Sequence, residues 1–176
     1  MKQSTKNENE DIQNLSEQEA IEKCKLLVDH NTVCLFTTNL SKLPLTTRPM
    51  SAQKVCDEGN FWFLSDKYSN KNEEIAADSR VQLFFSNTSD YEFLSVYGMA
   101  TISDDQEKIN ELWTPIAKAW FTEGKEDPRI SVIKITPEEG FYWDTKNGKL
   151  ISMFKFLASA VIGKTLSEGV EGTHTV

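Results

Sequence analysis

Between residues 32 and 102 the chain carries five β-rich runs, at 32–38 (TVCLFTT), 44–55 (PLTTRPMSAQKV), 61–66 (FWFLSD), 81–87 (VQLFFSN) and 93–102 (FLSVYGMATI), and most of the gaps between them are turn-length. Parallel neighbours need a crossover of roughly a dozen residues or more, so links such as SKLP, DEGN and TSD leave antiparallel pairing as the geometry that fits. The remaining gap, KYSNKNEEIAADSR, switches to a helical period. Ser69 is placed to cap a short helix there, acidic Glu73 and Glu74 sit in its first turn, and Ile75 is its apolar anchor. Pro49 inside the second run predicts an edge, a bulge or an irregular patch.

Helices flank this β-rich centre. Ser16 and Glu19 form a capping box ahead of Ala20, Ile21, Cys24, Leu27 and Val28, a helical stripe that ends near His30. Asp104 and Asp105 open another helix through Ile109, Leu112 and Trp113, and Pro115 starts a further helical segment, IAKAWF. SVIKITP and GFYW read as two last strands. Leu150, Met153, Phe154, Leu157 and Val161 lie on one helical face of residues 150–163. The predicted fold is therefore mainly β, an antiparallel barrel with helices. Its domain boundaries are a flexible tail at 1–13, a barrel domain at 14–148, and a C-terminal helix and tail at 149–176 that packs on the barrel or on a second subunit.

Composition narrows the function. The 176 residues carry 19 Lys and Arg against 27 Asp and Glu, a formal charge of −8. That balance argues against nucleic acid and against anionic membrane surfaces as partners. Two histidines and three scattered cysteines, Cys24, Cys34 and Cys56, argue against histidine triads, zinc sites and a disulfide framework. No segment approaches the roughly 20 apolar residues of a membrane span. The polar N-terminal stretch lacks the apolar core of a secretory signal, which gives a cytoplasmic expectation. Gly163-Lys164-Thr165 resembles the end of a phosphate-binding P-loop, but the position that requires the first glycine is Ala158. Chemistry in such a chain falls to a bound cofactor.

Residues 48–71 could hold a phosphate monoester. Arg48 offers a bidentate fork, Lys71 a point charge, Ser65 and Ser69 hydroxyls, and the start of the short helix free N–H groups. Solvated cations with ordinary capping serines account for the same residues, and composition alone favours that simpler account. Trp62, Phe63, Trp113, Trp120, Phe121, Tyr142 and Trp143 divide in the same way, between plain core and faces for a planar ring.

The order of TTRPMS, GNFWFLSDKYSNKNEEI, VQLFFSN, FLSVYGMATI, ELWTP, KAWFTEGKEDP, GFYWD and AVIGKTLSEG resembles the pyridoxamine 5′-phosphate oxidase-like family of FMN-binding split barrels, in its general stress protein 26 subgroup. The two tryptophans ahead of a Gly-Lys-x-Asp-Pro loop are the most specific part. The resemblance implies a six-stranded antiparallel split barrel, homodimeric, with FMN at the subunit interface; FAD or a deazaflavin fits the same pattern. By this resemblance Arg48, Ser69 and Lys71 hold the phosphate. Backbone around Pro49, Met50, Phe63, Leu64 and Ser65 lines the ring, and Trp120 and Trp143 are the aromatics that a partner subunit supplies. It implies a flavin-dependent redox protein of the general stress type, or alternatively a non-catalytic flavin sensor or store, with electron donor and acceptor unspecified. The chain departs from the oxidases in having Asn70-Lys71 where they have Arg-Lys, and Phe93 where they have a flavin-contacting glutamine. It also has no arginine in residues 144–176. The segment that grips pyridoxal phosphate in the oxidases is missing, so vitamin B6 oxidation is not implied.

Overall fold

A computed structural model describes residues 12–14, 17–144 and 149–153. Their order is β1 (Ile12–Asn14), α1 (Glu17–His30), β2 (Val33–Thr38), β3 (Thr46–Val55), β4 (Phe61–Asp66), α2 (Asn70–Ala77), β5 (Arg80–Asn87), β6 (Glu92–Ser103), α3 (Gln106–Leu112), two short 3₁₀ turns (Pro115–Ala119 and Gly124–Glu126), β7 (Ile130–Asp144) and β8 (Lys149–Met153). Strands β7-β4-β3-β2-β5-β6 form a ring that β6 closes back onto β7, so the fold is a six-stranded antiparallel barrel. Strands β8 and β1 extend the sheet beyond it, β1 running parallel to β8.

The segment expected to form two last strands is one strand. β7 pairs with β6 along its length, and its other edge serves β4 at Ile130–Ile135 and β8 at Gly140–Asp144. A register shift opposite Tyr97 and Gly98 absorbs one extra residue, which lets so long a strand follow the barrel's curvature. Gly98 is required there by close approach, since a Cβ would lie 2.4 Å from the Thr136 carbonyl oxygen.

Two expectations at the ends are corrected. Residues 149–153 form a strand, not the start of a helix, because the second half of β7's edge is open and pairs with their backbone. Ile12 and Gln13, expected in the flexible tail, pair with Leu150 and Ile151. Ser16 and the rest of the expected C-terminal helix lie outside the described residues. The segment after Pro115 is a 3₁₀ turn, shorter than the helix expected of it.

Alternation along the strands sends Phe36, Phe61, Phe63, Leu83, Phe85, Val96, Ile133 and Ile135 into the barrel, where Phe36 and Phe63 meet edge to face at 5.2 Å. The apolar stripe of α1 packs into the same core. The opposite face of β4 and β7 offers Leu64, Ile130 and Val132 to Ile109, Leu112, Ala117 and Phe121, a second core that fixes the segment after α3 against the barrel. Asp105 caps α3 by accepting from the N–H groups of Glu107 and Lys108. Among the described residues no helix is long and apolar enough to cross a membrane.

Candidate functional site

Strand β3 pairs with β4 at Val55, Lys54 and Ala52, across a register shift, and its pairing with β4 ends there. Residues Thr46–Ser51 continue against β2 alone, while Leu64–Asp66 of β4 turn to β7. The proline expected to mark an edge lies on that separated stretch, opposite Leu35 of β2. The gap between the diverging strands is a groove of about 380 Å³, roofed on one side by the 3₁₀ segment carrying Ile116, Ala117 and Trp120. Pro49, Met50, Leu64, Ile116, Trp120 and Phe121 give it apolar walls, Thr32, Ser51, Gln53 and Thr114 add neutral polar groups, and Ser65, Asp66, Ser69 and Lys71 make a polar end that carries its charged side chains.

Lys71 dominates the polar end. It is 6% exposed, and its Nζ donates to Ser65 Oγ, to Ser69 Oγ at 3.0 Å and to Asn72 Oδ1 at 3.3 Å. All three acceptors are neutral, and no described carboxylate lies within ion-pair distance of it. Burial pushes this ammonium down to about 8; the like charge of Arg48 adds to the effect, while Asp66 and Glu74 oppose it. Asn72 holds the cluster together. Its Oδ1 accepts from Ser65 Oγ at 2.7 Å and its Nδ2 donates to Ser131 Oγ at 2.9 Å, which in turn donates to the Ser65 carbonyl at 3.1 Å. Ser69 occupies the N-cap position of α2 but makes no side-chain cap, because its hydroxyl is engaged with Lys71 and Asn72.

Arg48 lies beside this end without lining the groove. Its Nη2 donates to Glu74 Oε2 at 2.7 Å and its Nη1 to Thr38 Oγ1 at 2.6 Å, and the Thr38 hydroxyl in turn donates a hydrogen bond to the same carboxylate oxygen. Burial would raise the Glu74 carboxyl, but hydrogen bonds from Thr38 and Arg48 and the nearby positive charges hold it below the usual range. Asp66 is turned outward toward Arg129, 3.5 Å away, and accepts from the Tyr68 N–H.

Seven of the ten candidate residues line one groove: Pro49, Met50, Leu64, Ser65, Ser69, Lys71 and Trp120. Trp120 belongs to its own chain's groove and is 65% exposed at the mouth. Phe63 points its ring into the barrel core and can offer the groove only backbone. Trp143 sits far along β7, paired with Phe93 and Leu150, and is not part of the lining. Thr38, Glu74, Asn72 and Ser131 went unrecognised in the sequence. Helical spacing alone puts Glu74 one turn after Lys71, a signal within reach; the Ser131 contact spans 59 residues and has no local signature.

With this geometry in hand, comparison with known proteins places the chain. The sequence pattern of the pyridoxamine 5′-phosphate oxidase-like family matches residues 19–167, and the chain belongs to that family. Among solved structures, a Clostridium acetobutylicum protein related to general stress protein 26 superposes with a TM-score of 0.66 at 23% identity, over 80% of this chain and 96% of that one. General stress protein 26 of Bacillus anthracis superposes with 0.63 at 22%, over 76% and 98%. A general stress FMN/FAD-binding protein from Xanthomonas citri does so with 0.62 at 21%, over 89% and 99%. These likenesses establish the split-barrel fold of the general stress protein 26 type. Protein bli-3 of Neurospora crassa is 27% identical over 128 residues, 66% of this chain; the chain spans about three-fifths of that relative's length, 61%.

Proposed function

We propose that this chain binds FMN in the groove between β3 and β4 and works as a redox-active homodimer of the general stress type. The observation that carries the reading is the buried ammonium of Lys71, surrounded by neutral oxygens, at the polar end of an apolar slot. A cation desolvated in this way gains most from an anion, and a phosphate monoester beside a flat apolar surface matches both ends of the slot. The volume also lies within the usual range for a cofactor pocket.

In this reading Lys71 and Ser69 bind the phosphate, Arg48 adds a second cation from the side, and Asn72 orients both hydroxyls. Ser65 and the separated backbone at Pro49, Met50 and Leu64 face the ring edge, while Ile116 and Trp120 cover a ring face and exclude water. FMN held there would supply hydride or electron transfer, chemistry for which the groove itself offers no histidine or cysteine. FAD or a deazaflavin would place the same ring on the same contacts.

The open side of the groove adjoins an apolar stripe: Leu35 lies opposite both Pro49 and Phe84, and Leu35, Val33 and Phe84 are all exposed. A second copy seated on this stripe would bury it and close the groove, and the partner's Trp143 is then available as a further aromatic. Purified protein mixed with FMN and desalted tests the reading. The wild type is expected to retain flavin and the Arg48→Ala/Lys71→Ala variant to lose it. Equal retention by a folded double variant would remove the phosphate assignment. Turnover of a nicotinamide donor by the loaded protein separates a catalyst from a sensor.

A further inference from the structure

A phosphate dianion calls for more positive charge than the groove leaves uncompensated. Arg48 and Lys71 supply two cations, but Glu74 returns a carboxylate to the same place, joined to Arg48 at 2.7 Å and locked by the buried Thr38 hydroxyl. Both partners of the pair are 22% exposed at their side chains, so solvent screens it only in part. The geometry of α2 brings this about, because Glu74 stands one turn after Lys71 and reaches back to β3. Asp66, the other carboxylate at this end, is already paired with Arg129. Lys71 is thus the one cation at the polar end without a carboxylate partner among the described residues.

We infer that Glu74 is a specificity-determining residue that weakens the groove's preference for a phosphorylated flavin over the unphosphorylated parent, by holding Arg48 in a neutral pair. The inference rests on the flavin reading above and deepens it. A phosphate approaching Arg48 competes with Glu74 for one guanidinium, and repulsion between the two anions offsets part of the gain. Riboflavin, which has no phosphate, is indifferent to that repulsion. The wild type therefore distinguishes FMN from riboflavin less strongly than two cations would permit.

Glu74→Gln keeps the size of the side chain and an oxygen acceptor for Arg48 and Thr38 while removing the charge. Removing one charge from a partly sheltered site corresponds to roughly a tenfold change in affinity for a charged ligand. Titrations following quenching of flavin fluorescence, with FMN and separately with riboflavin, are expected to show E74Q binding FMN about tenfold more tightly and riboflavin unchanged. Glu74→Asp alters the contacts but keeps the charge, so the FMN-to-riboflavin ratio is expected to rise in E74Q and to stay near wild type in Glu74→Asp, whereas a merely structural role for Glu74 would move the two variants alike. If both flavins bind with the same ratio in wild type and E74Q, the role of Glu74 is overturned and the flavin site stands. If neither flavin binds the wild type, the flavin reading falls and this inference falls with it.

Discussion

Lys71 couples the site to the stability of the protein, and the coupling can be measured in the absence of any ligand. Folding moves its amine from an ordinary 10.5 down to about 8, through burial first and then the neighbouring Arg48 charge. Below pH 8 the folded and unfolded chains both hold the proton, and the penalty for burying the charge is fully present. Between about 8 and 10.5 the folded chain releases the proton while the unfolded chain keeps it, so the penalty is relieved and stability rises with pH. At about 1.4 kcal/mol for each pH unit, the relief over this window totals roughly 3 kcal/mol. Lys71→Met removes the group. It also removes three hydrogen bonds to Ser65, Ser69 and Asn72, so its absolute stability at neutral pH combines opposing effects. The difference between wild type and Lys71→Met as a function of pH does not depend on that offset. Urea unfolding at several pH values from 7 to 10 is expected to show wild type gaining on the variant by about 1 kcal/mol per pH unit above 8. Parallel curves for the two proteins across this range would refute the claim that Lys71 is a desolvated, uncompensated cation.

Three further outcomes follow from the same geometry. Asn72→Asp places a carboxylate against Lys71 with little change of shape, and FMN retention is expected to fall at least about tenfold in equilibrium titrations while the circular dichroism spectrum is unchanged. Gly98→Ala drives a methyl group into the Thr136 carbonyl, 2.4 Å away, and should cost about 1–3 kcal/mol, read as a fall of several degrees in Tm. Leu35→Glu puts a charge in the apolar stripe where Leu35 is 51% exposed. It is expected to leave the fold intact and to convert a dimer to a monomer in sedimentation; an unchanged sedimentation coefficient would count against this face as the dimer surface.

Much of the fold was legible because its signals are local. FWFLSD is a strand in every residue expected of it, the helix after Ser69 begins where its capping position predicted, and Asp105 caps α3 as its place before an apolar-periodic segment implied. The misreadings have a common physical origin. Leu150 to Met153 carry an apolar pattern that fits helix or strand, and the free edge of β7, which no local pattern reveals, decides between them. SVIKITP and GFYW were separable on paper because Pro137 and Gly140 interrupt them; the register shift near Gly98 absorbs the interruption within one strand.

The candidate site was legible to the extent that it is contiguous. Pro49, Met50, Leu64, Ser65, Ser69 and Lys71 come from two neighbouring stretches, and the structure brings them to one groove. Arg48 lies near them, but its commitment to Glu74 depends on how α2 packs against β2 and β6. Trp120, expected among the aromatics that a partner subunit supplies, lines the groove of its own chain, where the second hydrophobic core pins the 3₁₀ segment to β4 and β7.

The most direct test of the central claim is the visible absorption spectrum of freshly purified protein, recorded as isolated and again after incubation with FMN and desalting, with protein concentration measured on the same sample. The account predicts persistent flavin bands at one FMN per chain, shifted from those of free FMN by the apolar groove. Protein that emerges colourless after loading, while still folded, would contradict it.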